Sequence, residues 1–355
     1  MTKRTTLLIL GGTTALAVLA GGSGLAVGTV LGATTATPQV ALQVTPSTYR
    51  QQATALSVSS ASAEQQIGVV TILTDVYYGS GAAAGTGMVI TSDGQVLTNN
   101  HVISGATTIE VTVESTGDTY TAVVLGSDAE NDVALLQLVD DEGEPVAGLD
   151  TVTIDDSGQV AVGDTITDVG NAEGTGDLVA ASGTVTAVAQ EITIEEKTLD
   201  GLIELDADVV PGDSGGPVLD ADGEVIGIAT AASSGTRDIT GWAIDIVDAM
   251  AIVDRILAGD ETGTITIGLP AFLGVSIVDD SATIGGVLEG TPAADAGLVA
   301  GDTIVGVNGA PVASGTEISA AIAALEQGDR ARIDYLDASG ARQSVDVTLI
   351  GGPAS

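Results

Sequence analysis

From residue 67 onward the chain is written in short apolar runs punctuated by Gly, Asp and Ser: "IGVVTILTDVYYGS", "GTGMVITSDGQVLTNNHV", "TIEVTVES", "YTAVVLGSD", "DVALLQLV", "DTITDVG" and "ASGTVTAV". Such runs are too short for ordinary helices, and the residues between them are those that reverse the chain. The pattern predicts an all-β sandwich or closed barrel. One helix-like segment, "IDIVDAMAIVDRILAG", interrupts it, with a Gly259 stop. A Gly- and Thr-containing stretch, 258–267, then leads into a second compact unit. That unit reads strand, strand, short helix after "TPAADAGL", strand "DTIVGVNG", longer helix "GTEISAAIAALEQ", and two strands, "ARIDYLD" and "SVDVTLI". A chain of 355 residues has room for both units plus extensions.

Charge excludes whole classes of partner. With 48 Asp and Glu against 9 Lys and Arg, the formal net charge is −39. Such a surface repels phosphate backbones and anionic headgroups, so no nucleic-acid partner is expected. The chain has no Cys, which removes disulfides, thiol nucleophiles and thiolate metal sites. "DSGQVAVGD" and "DADGE" lack the alternating ligands and terminal Glu of a calcium loop and read as β-turns. "GVNGAP" and "VGDTITDVGNAEG" lack the helix and Lys or acidic partner of a nucleotide loop. No metal or other cofactor is expected.

The N-terminus addresses location. Lys3 and Arg4 precede "LLILGGTTALAVLAGGSGLAVGTVLGA", residues 7–33, which carry no charge and exceed the roughly 20 residues that cross a bilayer. Residues 1–36 are expected to form a single-pass anchor with the positive end in the cytoplasm and the rest outside. Signal cleavage near Ala36, releasing a secreted chain, is the alternative. Residues 37–66, rich in Ser, Thr, Ala and Gln, read as a tether.

The stretch with the most chemistry is "VVPGDSGGPV", 209–218. It is either a tight turn or a loop presenting Ser214 as a nucleophile beside backbone donors. A serine hydroxyl needs a base to remove its proton, and the chain holds one histidine, His101 in "VLTNNHVISGA". An imidazole acting so needs a carboxylate to fix its tautomer. Asp132 in "AENDVALLQL" is favoured, because it directly precedes an apolar strand; Asp128, Asp118 and Asp140 are alternatives in more polar company.

"TNNHVISGA", "NDVALLQL" and "PGDSGGPV", in that His, Asp, Ser order, resemble the trypsin-like serine proteases and more narrowly the HtrA (DegP-like) family. "AVGDTITDVGN", "ASGTVTAV" and "GEVIGIAT" extend the resemblance over about 67–257, and "FLGVSIV" through "AADAGLVAGDTIVGVNGAPV" to "VDVTLI" resembles a PDZ domain. The resemblance implies a mainly β chain: a chymotrypsin-like double β-barrel protease domain at 67–257, a linker at 258–267 and an α+β PDZ domain at 268–351. It also implies Ser214 as nucleophile, His101 as general base and then acid, Asp132 as orienting carboxylate, and the N–H groups of Gly212 and Ser214 as oxyanion hole. Unfolded proteins or peptides would be the substrates.

Two residues depart from the family's habit. HtrA proteins more often carry Asn where this chain has Asp213, whereas secreted trypsin-like enzymes pair an Asp there with an ammonium freed by cleavage. Local satisfaction of Asp213 is the favoured expectation here. Asp208, six residues before Ser214, stands where trypsin-like enzymes carry the floor of the specificity pocket, and Asp206 fits the family's common Asp. In the PDZ-like unit, C-terminal peptides are expected at Phe272, Leu273, Gly274 and Val275, with Ile318 and Ile322 either lining the slot or packing in the core. Tyr77 and Tyr78 lie near the protease N-terminus, where the family's homotrimers make aromatic contacts. The rival reading is a weakly active or inactive PDZ-containing chaperone or scaffold; a full set of triad residues counts against it.

Overall fold

A computed structural model describes residues 58–79, 81–194, 197–232, 240–279 and 281–354. The expected membrane segment and most of the tether lie outside these residues. No helix among the described residues is long and apolar enough to cross a membrane.

The first half of the chain forms β1 (Val58–Ser60), β2 (Val69–Val76), β3 (Gly81–Val89), β4 (Gln95–Thr98), the single-turn α1 (Asn100–Ile103), β5 (Ala106–Val113), β6 (Asp118–Asp128) and β7 (Val133–Val139). The next stretch adds β8 (Thr165–Gly170), β9 (Val179–Ile194), β10 (Lys197–Asp206), β11 (Pro217–Leu219), β12 (Val225–Ala232), β13 (Gly241–Asp245), α2 (Ile246–Leu257) and β14 (Ile265–Ile267). Two closed barrels result. Strands β5, β2, β3, β4, β7 and β6 pair in that order, and β6 closes back on β5. Strands β9, β10, β13, β12, β11 and β8 do the same, β8 closing on β9. Closure leaves no open sheet edge within either ring.

β7 shows why its sequence is so apolar. Ala134, Leu136 and Leu138 point into the first barrel, while Val133 and Leu135 face the core between the barrels. Both faces are therefore buried, and the usual apolar/polar alternation disappears. Helix α2 closes the inter-barrel core with Ile246, Ala249, Ile252, Val253 and Ile256. Its start is capped by Asp245, which accepts from Val247 N at 2.9 Å, and Gly259 at φ +68 follows its end.

The second unit contains β15 (Ala271–Phe272), β16 (Val275–Ile277), β17 (Ile284–Val287), α3 (Pro292–Asp295), β18 (Thr303–Val307), β19 (Ala310–Pro311), α4 (Gly315–Ala323), β20 (Arg330–Leu336), β21 (Arg342–Thr348) and β22 (Ile350–Gly351). It has its own core around Leu273, Ile277, Ile304, Ile318, Ile322 and Ile333. The chain as described is mainly β, as the sequence indicated.

Two segments expected to be connectors take part in the sheets, and a third, near the end of the chain, packs on the first barrel. β1, within the stretch read as tether, pairs antiparallel with β9, and Ala61 is buried. β14, within the expected 258–267 linker, pairs with the end of β6. Beyond residue 351, Ala354 is buried among Val102, Ile103 and Ala106, accepting from Gly105 N at 2.7 Å and donating to Ala106 O at 3.0 Å. The Tyr78 ring stacks on Phe272, centroids 5.7 Å apart. The second unit is thus tied to the first barrel just beyond α1.

Candidate active site

His101 reaches the surface because its neighbours do not. Val102 and Ile103 anchor the single turn of α1 in the first barrel's core, leaving His101 with a side chain 47% exposed. Asn99, fully buried before α1, donates through Nδ2 to Asp132 O at 2.9 Å, and Asn100 N donates to the same oxygen at 3.2 Å. Asp132 itself is 2% exposed and adopts φ +60 at the entrance to β7, a left-handed conformation that Asp tolerates better than most residues.

Both Asp132 oxygens are occupied. Oδ1 accepts from His101 N at 3.0 Å; Oδ2 accepts from the Thr230 hydroxyl at 2.6 Å and lies 2.8 Å from His101 Nδ1. Lys197 Nζ stands 3.4 Å from Oδ1. Burial pushes the Asp132 carboxyl up, but the charge and hydrogen bond of His101, then Lys197 and Thr230, hold it at about 2. An ionised carboxylate only accepts, so Nδ1 carries the imidazole proton and Nε2 is left as the acceptor. Asp128, Asp118 and Asp140 have no such contact: Asp128 instead caps its own turn through Glu130 N and Asn131 N, each at 3.1 Å.

The nucleophile loop runs between β10 and β11. Asp213 N donates to Val210 O and Gly216 N to Asp213 O, which close two tight turns. Gly212 at φ +104 and Gly215 at φ +87 fit nothing larger: a Cβ on either would sit 2.1 Å from a backbone oxygen, of Asn171 and Thr86 respectively. Thr86, buried in β3, bolts the loop to the first barrel. Its N donates to Ser214 O at 2.9 Å, its hydroxyl donates to Gly212 O at 2.7 Å, and that hydroxyl accepts from Asn171 N at 2.9 Å. Among the described residues, the N–H groups of Gly212 and Ser214 donate to no protein acceptor. They remain available to an incoming oxyanion.

The loop and α1 meet at Gly85, where an added Cβ would lie 2.7 Å from Val102 Cγ1 and 3.2 Å from Ser214 O. Among the described residues no hydrogen bond joins Ser214 to His101. In such sites that bond commonly tightens only with substrate in place.

Asp213 is satisfied on one side only. Oδ2 accepts from Val210 N at 2.8 Å, whereas Oδ1 is buried without a partner, as is Oδ1 of Asp168 on β8. Gly170 makes room, since a Cβ there would fall 2.6 Å from Asp213 Oδ1. Burial, reinforced by the Asp208 charge and opposed by the Val210 hydrogen bond, pushes Asp213 up to about 7, and burial with the Asp213 charge raises Asp168 well above its ordinary value. Sequence reasoning missed Asp168, Thr230, Lys197 and Thr86. Asp208 is half-buried with an unpartnered Oδ1, and burial raises its carboxyl; Asp206 is exposed.

In the second unit, β16 is hydrogen-bonded among the described residues to β17 alone, which leaves its other edge unpaired there. Gly274, at φ +87, turns the chain into β16, and a Cβ there would overlap Thr291. Leu273, Ile318 and Ile322 are buried in the unit's core, and Phe272 rests on Tyr78. For Ile318 and Ile322 the packing role is the one occupied. Tyr78, near the protease N-terminus, stacks on Phe272 of its own chain.

Comparison with known proteins agrees with this architecture. Residues 85–228 match the trypsin-like peptidase domain and residues 271–349 the PDZ domain. The chain is 33% identical over 282 residues to a "Probable periplasmic serine endoprotease DegP-like" of Brucella suis, covering 76% of this chain and 53% of that protein. It is 34% identical over 279 residues to the "Periplasmic pH-dependent serine endoprotease DegQ" of Escherichia coli, covering 75% and 59%. The chain thus spans little more than half the length of these curated relatives. Among solved structures, "HtrA-type protease AlgW with tripeptide" aligns with TM-score 0.49 and 27% identity, over 83% of this chain and 99% of that one. With a trypsin-like peptidase domain followed by a PDZ domain, the chain belongs to the HtrA/DegP-like serine proteases.

Proposed function

We propose that the chain is an extracytoplasmic serine endopeptidase, tethered by residues 7–33, that cleaves unfolded or damaged proteins through an acyl-enzyme. The observation that carries the reading is the 2.8 Å contact of His101 Nδ1 with a buried, ionised Asp132, which leaves Nε2 as a base. Ser214 Oγ attacks the peptide carbonyl while His101 Nε2 takes its proton. The oxyanion is held by the N–H groups of Gly212 and Ser214. His101 then returns the proton to the leaving amine, and water, activated by the same nitrogen, releases the acyl group. Asp132 stays ionised throughout and stabilises the transient imidazolium. The outward location rests on the charge asymmetry about residues 7–33 and on relatives named as periplasmic.

A peptide terminus adding to the free edge of β16, with its carboxylate near Gly274, would give the PDZ unit its binding role. Its link through Ala354 to Gly105 and Ala106, just beyond α1, gives that binding a route to the protease domain. The unpartnered Asp208 oxygen favours a pocket that accepts Arg or Lys before the scissile bond over a solvated loop acid.

Digestion of unfolded casein by the full chain in detergent, with products sequenced by mass spectrometry, tests both levels. Cleavage is expected, with Arg and Lys enriched before the cut. Cuts only after Val, Ala or Leu would remove the role given to Asp208. No cleavage, even with C-terminal peptides added, would favour the scaffold reading.

A further inference from the structure

The chain has two lysines, and Lys197 is the one placed after residue 3. In a molecule with 48 acidic side chains to choose from, its ammonium lies 3.4 Å from Oδ1 of the buried Asp132. Lys197 opens β10, the strand that runs on to the nucleophile loop, whereas Asp132 belongs to the first barrel. The contact therefore crosses between the barrels. At 3.4 Å it acts more through charge than as a short hydrogen bond.

We propose that Lys197 is a positioning residue for the His101–Asp132 pair, holding Asp132 Oδ1 and offsetting part of the carboxylate's attraction for the imidazole's second proton. This rests on the endopeptidase reading, in which His101 must be neutral to accept the Ser214 proton. Two carboxylate oxygens then receive two partners each: His101 N and Lys197 on Oδ1, His101 Nδ1 and Thr230 on Oδ2. The charged groups that bear on Asp132 are His101 from α1 and Lys197 from β10, with Thr230 of β12 supplying a neutral hydroxyl. Without the ammonium, Asp132 would hold an imidazolium more firmly, and the base would be lost to protonation at a higher pH.

The chain's single histidine makes the test direct, because ¹³C-labelled His gives one imidazole titration to follow in the full chain in detergent. In Lys197→Met the midpoint of that titration is expected to move up by about half to one pH unit. The acid limb of kcat/KM on a chromogenic peptide moves with it, so that activity below that limb falls about 3- to 10-fold while the plateau changes little. Lys197→Arg restores both readouts, and Lys197→Gln, polar but uncharged, behaves like Lys197→Met. A residue needed only for packing would lower the plateau or the stability and leave the midpoint in place. An unmoved midpoint in Lys197→Met or Lys197→Gln chains that still cleave overturns the role of Lys197 alone. A parent chain that cleaves nothing overturns the endopeptidase reading, and the proposal with it.

Discussion

Replacement of Ser214 by Ala is expected to lower kcat by about 10⁶-fold and of Asp132 by Asn by about 10⁴-fold, with the double replacement no worse than Ser214→Ala alone. The two effects differ because the residues do different things. Ser214→Ala removes the atom that forms the acyl-enzyme, leaving the oxyanion donors to act on water. Asp132→Asn keeps the shape but turns an acceptor-only group into one that can donate to Nδ1. The proton then shifts to Nε2, the nitrogen that must accept from Ser214, and the imidazolium loses its counter-charge. Steady-state hydrolysis of a chromogenic peptide by the three variants checks this. A fall of only a few-fold in Asp132→Asn would show that the 2.8 Å contact does not set the tautomer.

Asp213→Asn is expected to stabilise the fold at neutral and alkaline pH. Burial raises Asp213 to about 7, against about 4 for an unfolded Asp. Between those values the unfolded chain gives up a proton that the folded chain keeps, so the unfolded state is progressively favoured. The contribution of the neutral carboxyl is therefore complete below about pH 4 and is lost as pH rises through about 7. Three units correspond to an upper limit of about 4 kcal/mol. The amide cannot ionise, so the variant escapes this loss. Urea unfolding at about pH 4, 6 and 8 should show Asp213→Asn gaining over the parent as pH rises, with the two nearly equal at the lowest pH. Parallel pH dependences for the two chains would mean that Asp213 is neither desolvated nor repelled by the half-buried Asp208.

Much of this was legible in the sequence, for physical reasons that can be named. Strands such as β7 announce themselves because burial on both faces demands an unbroken apolar run. α2 carries its cap, its apolar spacing and its stop in twelve residues of helix and their flanks. Ser214, His101 and Asp132 stand out as candidates in the sequence because each sits beside residues that only a constrained loop or strand end would use. What stayed hidden depends on distance in the chain. β1 is exposed at all three positions, so backbone pairing with β9 leaves no apolar signature. Lys197 and Thr230 meet Asp132 only after the second barrel closes against the first. Asp168 did leave a trace: it is in phase with Ile166 on β8, an acid at a position where the strand's pattern calls for an apolar residue. For Lys197, a lone lysine in so acidic a chain was the available hint.

The most direct measurement of the central claim is covalent labelling of the full chain by a fluorophosphonate, followed by intact mass and peptide mapping. One adduct per chain is expected, in the peptide containing 209–218 at Ser214, and its loss in His101→Ala. No adduct, or one that persists without His101, would contradict a nucleophile activated by the His101–Asp132 pair.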